Sequence, residues 1–176
     1  MAVPFSHKRD APKRLGFAVI ICSSSRYSLR KEGKGVTDPS GDKAVSLIKG
    51  SGHEITIREI LPDELAAIRR FSMEMLNHKD VDCVIFIGGT GISLDDNTIE
   101  AVEPLLDKRL PGFGELLRGL SYWKIGSSAI MTRALAGIAN GKAVFCLPGS
   151  PEAVEAAIKE LILPEVGHII KLARKG

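Results

Sequence analysis

The chain has 176 residues, of which 44% are hydrophobic and 26% charged, and its formal net charge is +3. This length suits one well-buried domain rather than two, and the composition is ordinary for a globular protein. Because no apolar run reaches the ~18 residues that span a bilayer and the N-terminus has no secretory signal pattern, we expect a cytoplasmic protein with no membrane partner.

The positive charge is concentrated at the N-terminus. Residues 1–14 carry five basic side chains against the single acidic side chain of Asp10: His7, Lys8, Arg9, Lys13 and Arg14. A basic arm can contact nucleic acid, but a solvated terminus explains the pattern as well. We expect residues 1–14 to form a flexible basic arm without a nucleic-acid partner, and residues 15–176 to form a single domain.

The first predicted elements are a strand and a helix. Leu15–Cys22 is a continuous apolar run, typical of a strand that is covered on both faces. A loop rich in Ser, Lys and Gly is predicted to follow it as far as about Val36. Asp38 then suits the N-cap of a helix and Pro39 its first position, and Gly50 suits its end.

A second strand and helix lead to a third strand. His53–Ile60 alternates between polar and apolar residues, which predicts a strand. Asp63 suits the N-cap of a helix that runs to about His78, and Asp82–Ile87, with the apolar run "VIFI" at its centre, is predicted to be the third strand. The buried stripe of this helix is predicted to contain Leu65, Ile68, Met75 and Leu76. Strands that alternate with helices predict an α/β fold with a parallel sheet.

The second half of the chain is less regular. Short helices are predicted over Asn97–Leu106 and Gly114–Tyr122. Two strands are predicted over Ser127–Met131 and Lys142–Leu147, joined through the segment "RALAGIANG". A final helix is expected to follow the second of these strands.

Three polar segments follow the carboxyl ends of predicted parallel strands: Ser23–Arg26 ("SSSR"), Leu61–Glu64 ("LPDE") and Gly88–Gly91 ("GGTG"). In open α/β sheets, ligands bind at this edge. The topology therefore predicts that these segments meet at one ligand site.

The glycines of "GGTG" suit an anion site. Gly88, Gly89 and Gly91 leave the backbone amides accessible and allow the positive φ values that direct successive N–H groups towards a phosphate. The spacing matches neither a Walker A loop nor G-x-G-x-x-G. By spacing alone, a tight strand-to-helix turn without a ligand explains the segment equally well.

Two carboxylates follow this turn. Asp95 and Asp96 would repel a bound phosphate unless a cation lies between them, and Mg²⁺ bridges phosphate oxygens to carboxylates. The alternative for Asp96, as for Asp63, is simple N-capping of the next helix, and Thr98 could also serve as a cap.

A second glycine segment, "LPGSP", lies between a predicted strand and the final helix. The backbone amides of Gly149 and Ser150 could hold another phosphate, and Ser150 with Pro151 suits the start of the helix. Pro164 is expected to bend or end this helix. Glu115 lies in a Gly-Phe-Gly-Glu turn that could equally be only a helix start.

Taken in order, these segments resemble the molybdenum cofactor biosynthesis proteins of the MoaB/Mog type, which are related to domains of gephyrin and plant Cnx proteins. The resemblance covers roughly Leu15 to Gly167. It rests on the following motifs: Asp38-x-Ser40-Gly41, Leu61-Pro62-Asp63, Gly88-Gly89-Thr90-Gly91-Ile92-Ser93, Asp96-x-Thr98-x-Glu100-Ala101, Pro111-Gly112-Phe113-Gly114-Glu115 and Leu147-Pro148-Gly149-Ser150-Pro151.

The resemblance implies a three-layer α/β/α sandwich with a mostly parallel central sheet, the molybdopterin-binding-like fold. It implies adenylylation of molybdopterin with Mg-ATP and release of pyrophosphate, followed by hand-off to a protein that inserts molybdate. It also implies a homo-oligomer, with a hexamer favoured over a trimer. Whether the metal finally delivered is molybdenum or tungsten stays open.

The resemblance also implies roles for individual residues. Asp96 would position Mg²⁺ at the reacting phosphates, and Asp63 would support it, so both are candidate catalytic residues. Molybdopterin or nucleotide would be bound by residues of the strand-end segments and by two further candidates, Glu115 and Thr132. The strand-end candidates are Ser23, Ser24, Gly88, Gly89, Thr90, Gly91, Thr98, Gly149 and Ser150.

Two positions depart from the family pattern. Asp95 stands where relatives commonly have Arg, and Ser24 stands where relatives often have Asp. These departures leave an alternative to the enzyme: a catalytically silent homologue that binds molybdopterin or acts as a scaffold.

Overall fold

A mostly parallel sheet of six strands forms the centre of the molecule. The computed structural model describes residues 11–175, so His7 to Asp10 of the predicted basic arm lie outside the described residues. The strands are β1 (Gly16–Cys22), β2 (Glu54–Leu61), β3 (Cys83–Ile87), β4 (Lys108–Arg109), β5 (Leu135–Ala139) and β6 (Lys142–Leu147).

Seven α-helices in the described residues connect and cover these strands. They are α1 (Ser24–Lys31), α2 (Pro39–Gly50), α3 (Leu65–Asn77), α4 (Thr98–Val102), α5 (Pro111–Ile125), α6 (Pro151–Ala156) and α7 (Leu163–Ala173). Short 3₁₀ segments follow α4 (Glu103–Leu105) and α5 (Gly126–Met131), and a π-helical segment (Ala157–Ile162) joins α6 to α7.

The strand order across the sheet is β2-β1-β3-β6-β5-β4. The strands β2, β1, β3 and β6 are parallel, whereas β5 and β4 continue the sheet in antiparallel pairing. This arrangement confirms the predicted mostly parallel α/β sheet. It also brings the carboxyl ends of four strands to one edge.

Helices cover both faces of the sheet, which explains why β1, β3 and β6 read as continuous apolar runs. Side chains alternate between two apolar clusters. One contains Phe17, Ile85 and Phe145 with residues of α2, α5, α6 and α7, and the other contains Ile20 and Phe86 with residues of α3 and α4. The result is the expected three-layer sandwich.

Two secondary-structure predictions were wrong near the ends of strands. The segment after β1 is helix α1 rather than a loop, although none of its residues is buried. Ser127–Met131 belongs to a 3₁₀ segment, and the strand next to β6 is instead Leu135–Ala139, inside the predicted connection. Ser127–Met131 and Leu135–Ala139 each contain apolar residues, so either could have been the strand, and only Leu135–Ala139 pairs with β6.

Predictions about helix details were partly wrong. Leu65 is 38% exposed and does not join the buried stripe of α3, whereas Ile68 and Met75 do. Of the two outcomes expected for Pro164, a bend or an end of the helix, the end does not occur, because the π-helical segment before it leads directly into α7. Within the described residues, every helix is too short or too polar to span a bilayer.

Candidate functional site

The four parallel strands end in loops that are hydrogen-bonded to one another. The amide of Gly88, at the end of β3, donates to the carbonyl of Leu147 at the end of β6 (3.0 Å). The amide of Ser23, at the end of β1, donates to the carbonyl of Leu61 at the end of β2 (2.9 Å). The predicted meeting of the strand-end segments is therefore present.

The glycine turn after β3 has a backbone conformation that requires glycine. Gly88 and Gly89 have φ values of 95° and 60°, which other residues rarely adopt. Side chains also leave no room at Gly89, since a Cβ atom there would overlap the carboxylate of Asp63 and the hydroxyl of Thr98. Within residues 11–175, no recorded hydrogen bond uses the amides of Gly89, Thr90 or Gly91. These three donors are available to a ligand.

An open cavity of about 300 Å³ lies at this turn. The glycine turn, one acidic residue and one basic residue line it, a combination that suits a negatively charged ligand together with a cation. Its walls are formed by Gly88, Gly89, Thr90, Gly91, Asp96, Ser128, Met131, Thr132, Arg133, Pro148 and Gly149.

Asp96 lies across the glycine turn from the strand end. One of its oxygens, Oδ2, accepts a hydrogen bond from the Ser93 amide (2.9 Å), and a Cβ atom on Gly91 would lie 2.6 Å from this oxygen. The N-cap position of α4 is occupied by Asn97, not by Asp96. Asp96 therefore does not serve the capping role that the sequence left open, and its carboxylate reaches the cavity.

Asp63 does not cap a helix either. The N-cap of α3 is Glu64, and this cap makes no side-chain hydrogen bond. The Oδ1 atom of Asp63 is buried without a hydrogen-bond partner. Burial raises the pKa of this carboxyl, the neighbouring Asp96 and Asp95 carboxylates raise it further, and the Asn97 amide opposes the shift. A buried oxygen without a partner, beside the free amides, is typical of a binding site rather than of a structural residue.

Thr98 lies fully buried beside Asp63. Its amide donates to the Gly89 carbonyl (2.9 Å), while its hydroxyl is a second buried polar atom without a partner. The Cys22 thiol lies close to this hydroxyl, and burial raises its pKa to about 12. This thiol stays protonated at neutral pH and is not a nucleophile.

The two serines after β1 stabilise the loops rather than the cavity. Ser23 is the N-cap of α1, where its hydroxyl accepts from the Arg26 amide (3.4 Å). The Ser24 hydroxyl accepts from the Asp63 amide (2.9 Å). Although Ser24 departs from the family pattern, it holds the backbone of a candidate catalytic residue.

Sequence reasoning did not assign roles to Asn97 and Arg133, which also organise the site. The Asn97 carboxamide donates to the carbonyls of Asp63 (3.0 Å) and Asp95 (3.1 Å), so it joins two loops. Arg133 donates to the Gly91 carbonyl (2.8 Å) and pairs with Glu100. The sequence feature that could have identified Arg133 is its position directly after Thr132, a predicted ligand contact.

A second cavity, of about 110 Å³, lies between α5 and α6. Thr132 and Pro148 line both cavities, and Ser150 and Lys124 line only the second. Ser150 is the N-cap of α6, as predicted, and accepts from the Ala153 amide (3.3 Å). The "LPGSP" segment therefore separates two neighbouring cavities.

Glu115 is exposed in the first part of α5 and lines neither of these two cavities. The structure thus brings together the glycine turn, Asp63, Asp96, Thr98, Thr132 and the Gly149–Ser150 segment, but not Glu115. The described residues contain no group of three or more His, Cys, Asp or Glu side chains that could hold a metal ion by itself.

Comparison with known proteins gives consistent matches over nearly the whole chain. The family model described as "Probable molybdopterin binding domain" matches residues 18–168. A protein from Halalkalibacterium halodurans, named molybdenum cofactor biosynthesis protein B, is 40% identical over 167 residues, which cover 94% of each chain.

Two further proteins extend this comparison. A protein from Methanocaldococcus jannaschii, named probable molybdopterin adenylyltransferase, is 38% identical over 170 residues, covering 97% of this chain and 99% of its own. The crystal structure of the tungsten cofactor synthesizing protein MoaB from Pyrococcus furiosus superposes with a TM-score of 0.82 at 37% identity, covering 94% of this chain and 100% of that one.

Proposed function

This chain belongs to the molybdopterin-binding-domain family, and we propose that it is a molybdopterin adenylyltransferase of the cytoplasm. In this reaction a terminal phosphate oxygen of molybdopterin attacks the α-phosphorus of ATP. The new bond joins AMP to molybdopterin, the bond between the α- and β-phosphates breaks, and pyrophosphate leaves. The relative named probable molybdopterin adenylyltransferase supports this activity.

The observation that carries the proposal is the combination of three free backbone amides with carboxylates at one strand edge. The amides of Gly89, Thr90 and Gly91 make no hydrogen bond within the described residues, and these residues line the same cavity as Asp96. A site that binds only an anion would have no use for Asp63 and Asp96. A site for transfer between two phosphates needs both groups, because charge neutralisation and alignment supply most of the catalysis.

The residues present fit a magnesium ion. Mg²⁺ keeps several water ligands and is commonly held by one or two carboxylates together with substrate phosphates, so a site with few protein ligands suits it. Asp96 would hold it, and Asp63, whose Oδ1 has no partner, would support it from the neighbouring loop. When bound, it would neutralise the charge of the reacting phosphates.

The protein residues have distinct roles in this proposal. The glycine turn binds phosphate oxygens through its amides. Thr98 holds the turn, because its backbone N–H donates to the Gly89 carbonyl. Gly149, Ser150 and Thr132 border the junction of the two cavities and would contact the second substrate. The roles of Ser23 and Ser24 are to hold the loops, whereas Glu115 would act only on a substrate portion that extends beyond both cavities.

We also propose that the protein works as a homo-oligomer, and that it passes its product to a protein that inserts the metal. Six large apolar side chains between residues 116 and 131 are more than half exposed, which is costly for a chain that stays monomeric. They are Leu116, Tyr122, Trp123, Ile125, Ile130 and Met131. A hexamer is favoured over a trimer, and either molybdenum or tungsten suits the product.

The proposal is tested by incubating the protein with molybdopterin, ATP and Mg²⁺ and measuring pyrophosphate release together with the formation of adenylyl-molybdopterin. We expect release that requires all three components. Release at the level of a blank, with molybdopterin binding retained, would instead assign the chain as a catalytically silent binding protein.

A further inference from the structure

We infer that Ser40, which lines neither cavity of the site, is a positioning residue for the loop Pro148–Ser150 at the second glycine segment. The inference rests on the proposed function only in taking this loop as a phosphate contact. Ser40 lies at the start of α2, and it is 4% exposed. Its hydroxyl donates a hydrogen bond of 2.6 Å to the carbonyl of Gly149.

This hydrogen bond sets the direction of the next backbone amide. In a planar trans peptide unit, the C=O of one residue and the N–H of the next point in opposite directions. Because the Gly149 carbonyl is held towards α2, the Ser150 N–H is directed away from α2. No hydrogen bond recorded for residues 11–175 uses this amide, so it is available to a ligand.

The start of α2 is itself held firmly in place. Asp38, which is 5% exposed, caps the helix by accepting from the Gly41 amide (3.0 Å) and pairs with Arg58 of β2 (2.8 Å). Gly41 packs so closely that a Cβ atom would lie 2.9 Å from the Cδ1 atom of Ile21 in β1. The Ser40 hydroxyl therefore connects the loop to a rigid support built on two strands.

This arrangement accounts for the Asp38-x-Ser40-Gly41 motif, for which the capping role alone does not explain the serine. Asp38 holds the start of the helix, Gly41 allows the helix to approach β1, and Ser40 reaches the loop. An alanine at position 40 would keep the helix but would leave the Gly149 peptide free to rotate.

The test compares Ser40→Ala, which removes the hydroxyl, with Ser40→Thr, which keeps it. Ser46→Ala is the matched control, because Ser46 is exposed on the same helix.

For each protein, the KM values for ATP and molybdopterin are measured, and the affinity for inorganic pyrophosphate is measured by calorimetry. For Ser40→Ala we expect the affinity for pyrophosphate to fall and the KM of one substrate to rise, each by between about tenfold and a hundredfold. For Ser40→Thr and Ser46→Ala, both KM values and the affinity for pyrophosphate should stay within about threefold of wild type, because neither substitution removes the hydrogen bond to Gly149.

Wild-type constants in Ser40→Ala would overturn the inference, and so would an equal loss in Ser40→Thr. An alanine variant that does not fold, judged by circular dichroism, would also overturn it, because the hydroxyl would then serve the fold rather than the loop. Calorimetry separates this inference from the proposed function. A protein that releases no pyrophosphate from ATP, yet binds it in a Ser40-dependent way, would contradict the function and support the positioning role.

Discussion

An ionised Asp63 carboxylate lies where the protein gives it little compensation. Its Oδ1 atom is buried without a partner, and the carboxylates of Asp96 and Asp95 lie near enough to raise its pKa. Such an arrangement opposes folding when the group is ionised. Its presence is understandable if the site is shaped to bind a cation together with its ligand.

We therefore expect Asp63→Asn to be at least as stable as wild type at neutral pH while losing adenylylation activity. The pKa of Asp63 is raised above its ordinary value of 3.8 in the folded protein, so the folded state holds this proton to higher pH than the unfolded chain. Wild-type stability should fall as the pH rises from about the ordinary value through the folded-state pKa. Because asparagine does not titrate, the Asp63→Asn variant should lose less stability than wild type over this pH range.

Thermal unfolding of both proteins between pH 3.5 and 7, without Mg²⁺, measures the difference. A variant that is less stable than wild type at pH 7 would contradict this account of Asp63. Wild-type activity in the variant would contradict its assigned role in catalysis.

The sequence could not decide what Asp63 and Asp96 do, because both precede helices and both suited an N-cap. The structure gives the N-cap positions to Glu64 and Asn97 and leaves both aspartates at the glycine turn. Cap identity depends on which residue first adopts helical dihedral angles, and a shift of one residue changes it. The family motifs favoured a ligand-site role for both residues where local chemistry allowed two interpretations, and that role stays a prediction.

At the scale of the element, the glycine turn determines where the carboxylates lie. Gly89→Ala should destabilise the protein by at least about 1 kcal/mol, because the residue adopts a left-handed conformation with a φ value of 60°. The added methyl group would also displace Asp63 and Thr98, so activity should fall further than stability alone explains.

The matched control is Gly50→Ala at the end of α2, where a Cβ atom meets nothing within 4 Å. Urea unfolding and pyrophosphate release are measured for both variants. If Gly89→Ala and Gly50→Ala behaved alike in both assays, the turn would not have the role described.

Strands were easier to predict from the sequence than the segments between them. β1, β3 and β6 are central and covered on both faces, so each needs an unbroken apolar run that is recognisable locally. Helix α1 buries none of its residues and therefore shows no apolar periodicity. The strand β5 depends on pairing with β6, which a local pattern cannot reveal.

At the scale of the whole molecule, the exposed apolar side chains of residues 116–131 support the proposed interface between copies. These residues also neighbour the site, since Met131 lines the first cavity and Ile125 the second. Light scattering should give the mass of several 18.9 kDa chains rather than of one, with six copies favoured.

Ile130→Asp should shift the protein towards smaller species, because Ile130 is 86% exposed in the single chain and a buried charge without a partner is costly. Leu172→Asp is the control, since Leu172 is 54% exposed on α7, away from residues 116–131. A wild-type protein that is monomeric at micromolar concentration would contradict the interface.

The architecture of the whole molecule was predicted well, because alternating strands and helices allow few arrangements of a parallel sheet. The meeting of the strand-end segments at the carboxyl edge followed from the same topology. The antiparallel pair β4 and β5 was missed, since β4 has only two residues and both are exposed and charged.

The most direct test of the central claim compares the two adjacent aspartates of the site in one assay. Asp96→Asn and Asp95→Asn remove the same charge one residue apart, but only Asp96 lines the cavity, and Asp95 is exposed. With molybdopterin, ATP and Mg²⁺ supplied, pyrophosphate release should fall by about a hundredfold or more in Asp96→Asn, as expected for the loss of a group that aligns the reacting phosphates. It should stay within about threefold of wild type in Asp95→Asn, as for a surface residue. Equal rates in the two variants, or a wild-type rate in Asp96→Asn, would contradict the assignment of this edge of the sheet as the catalytic site.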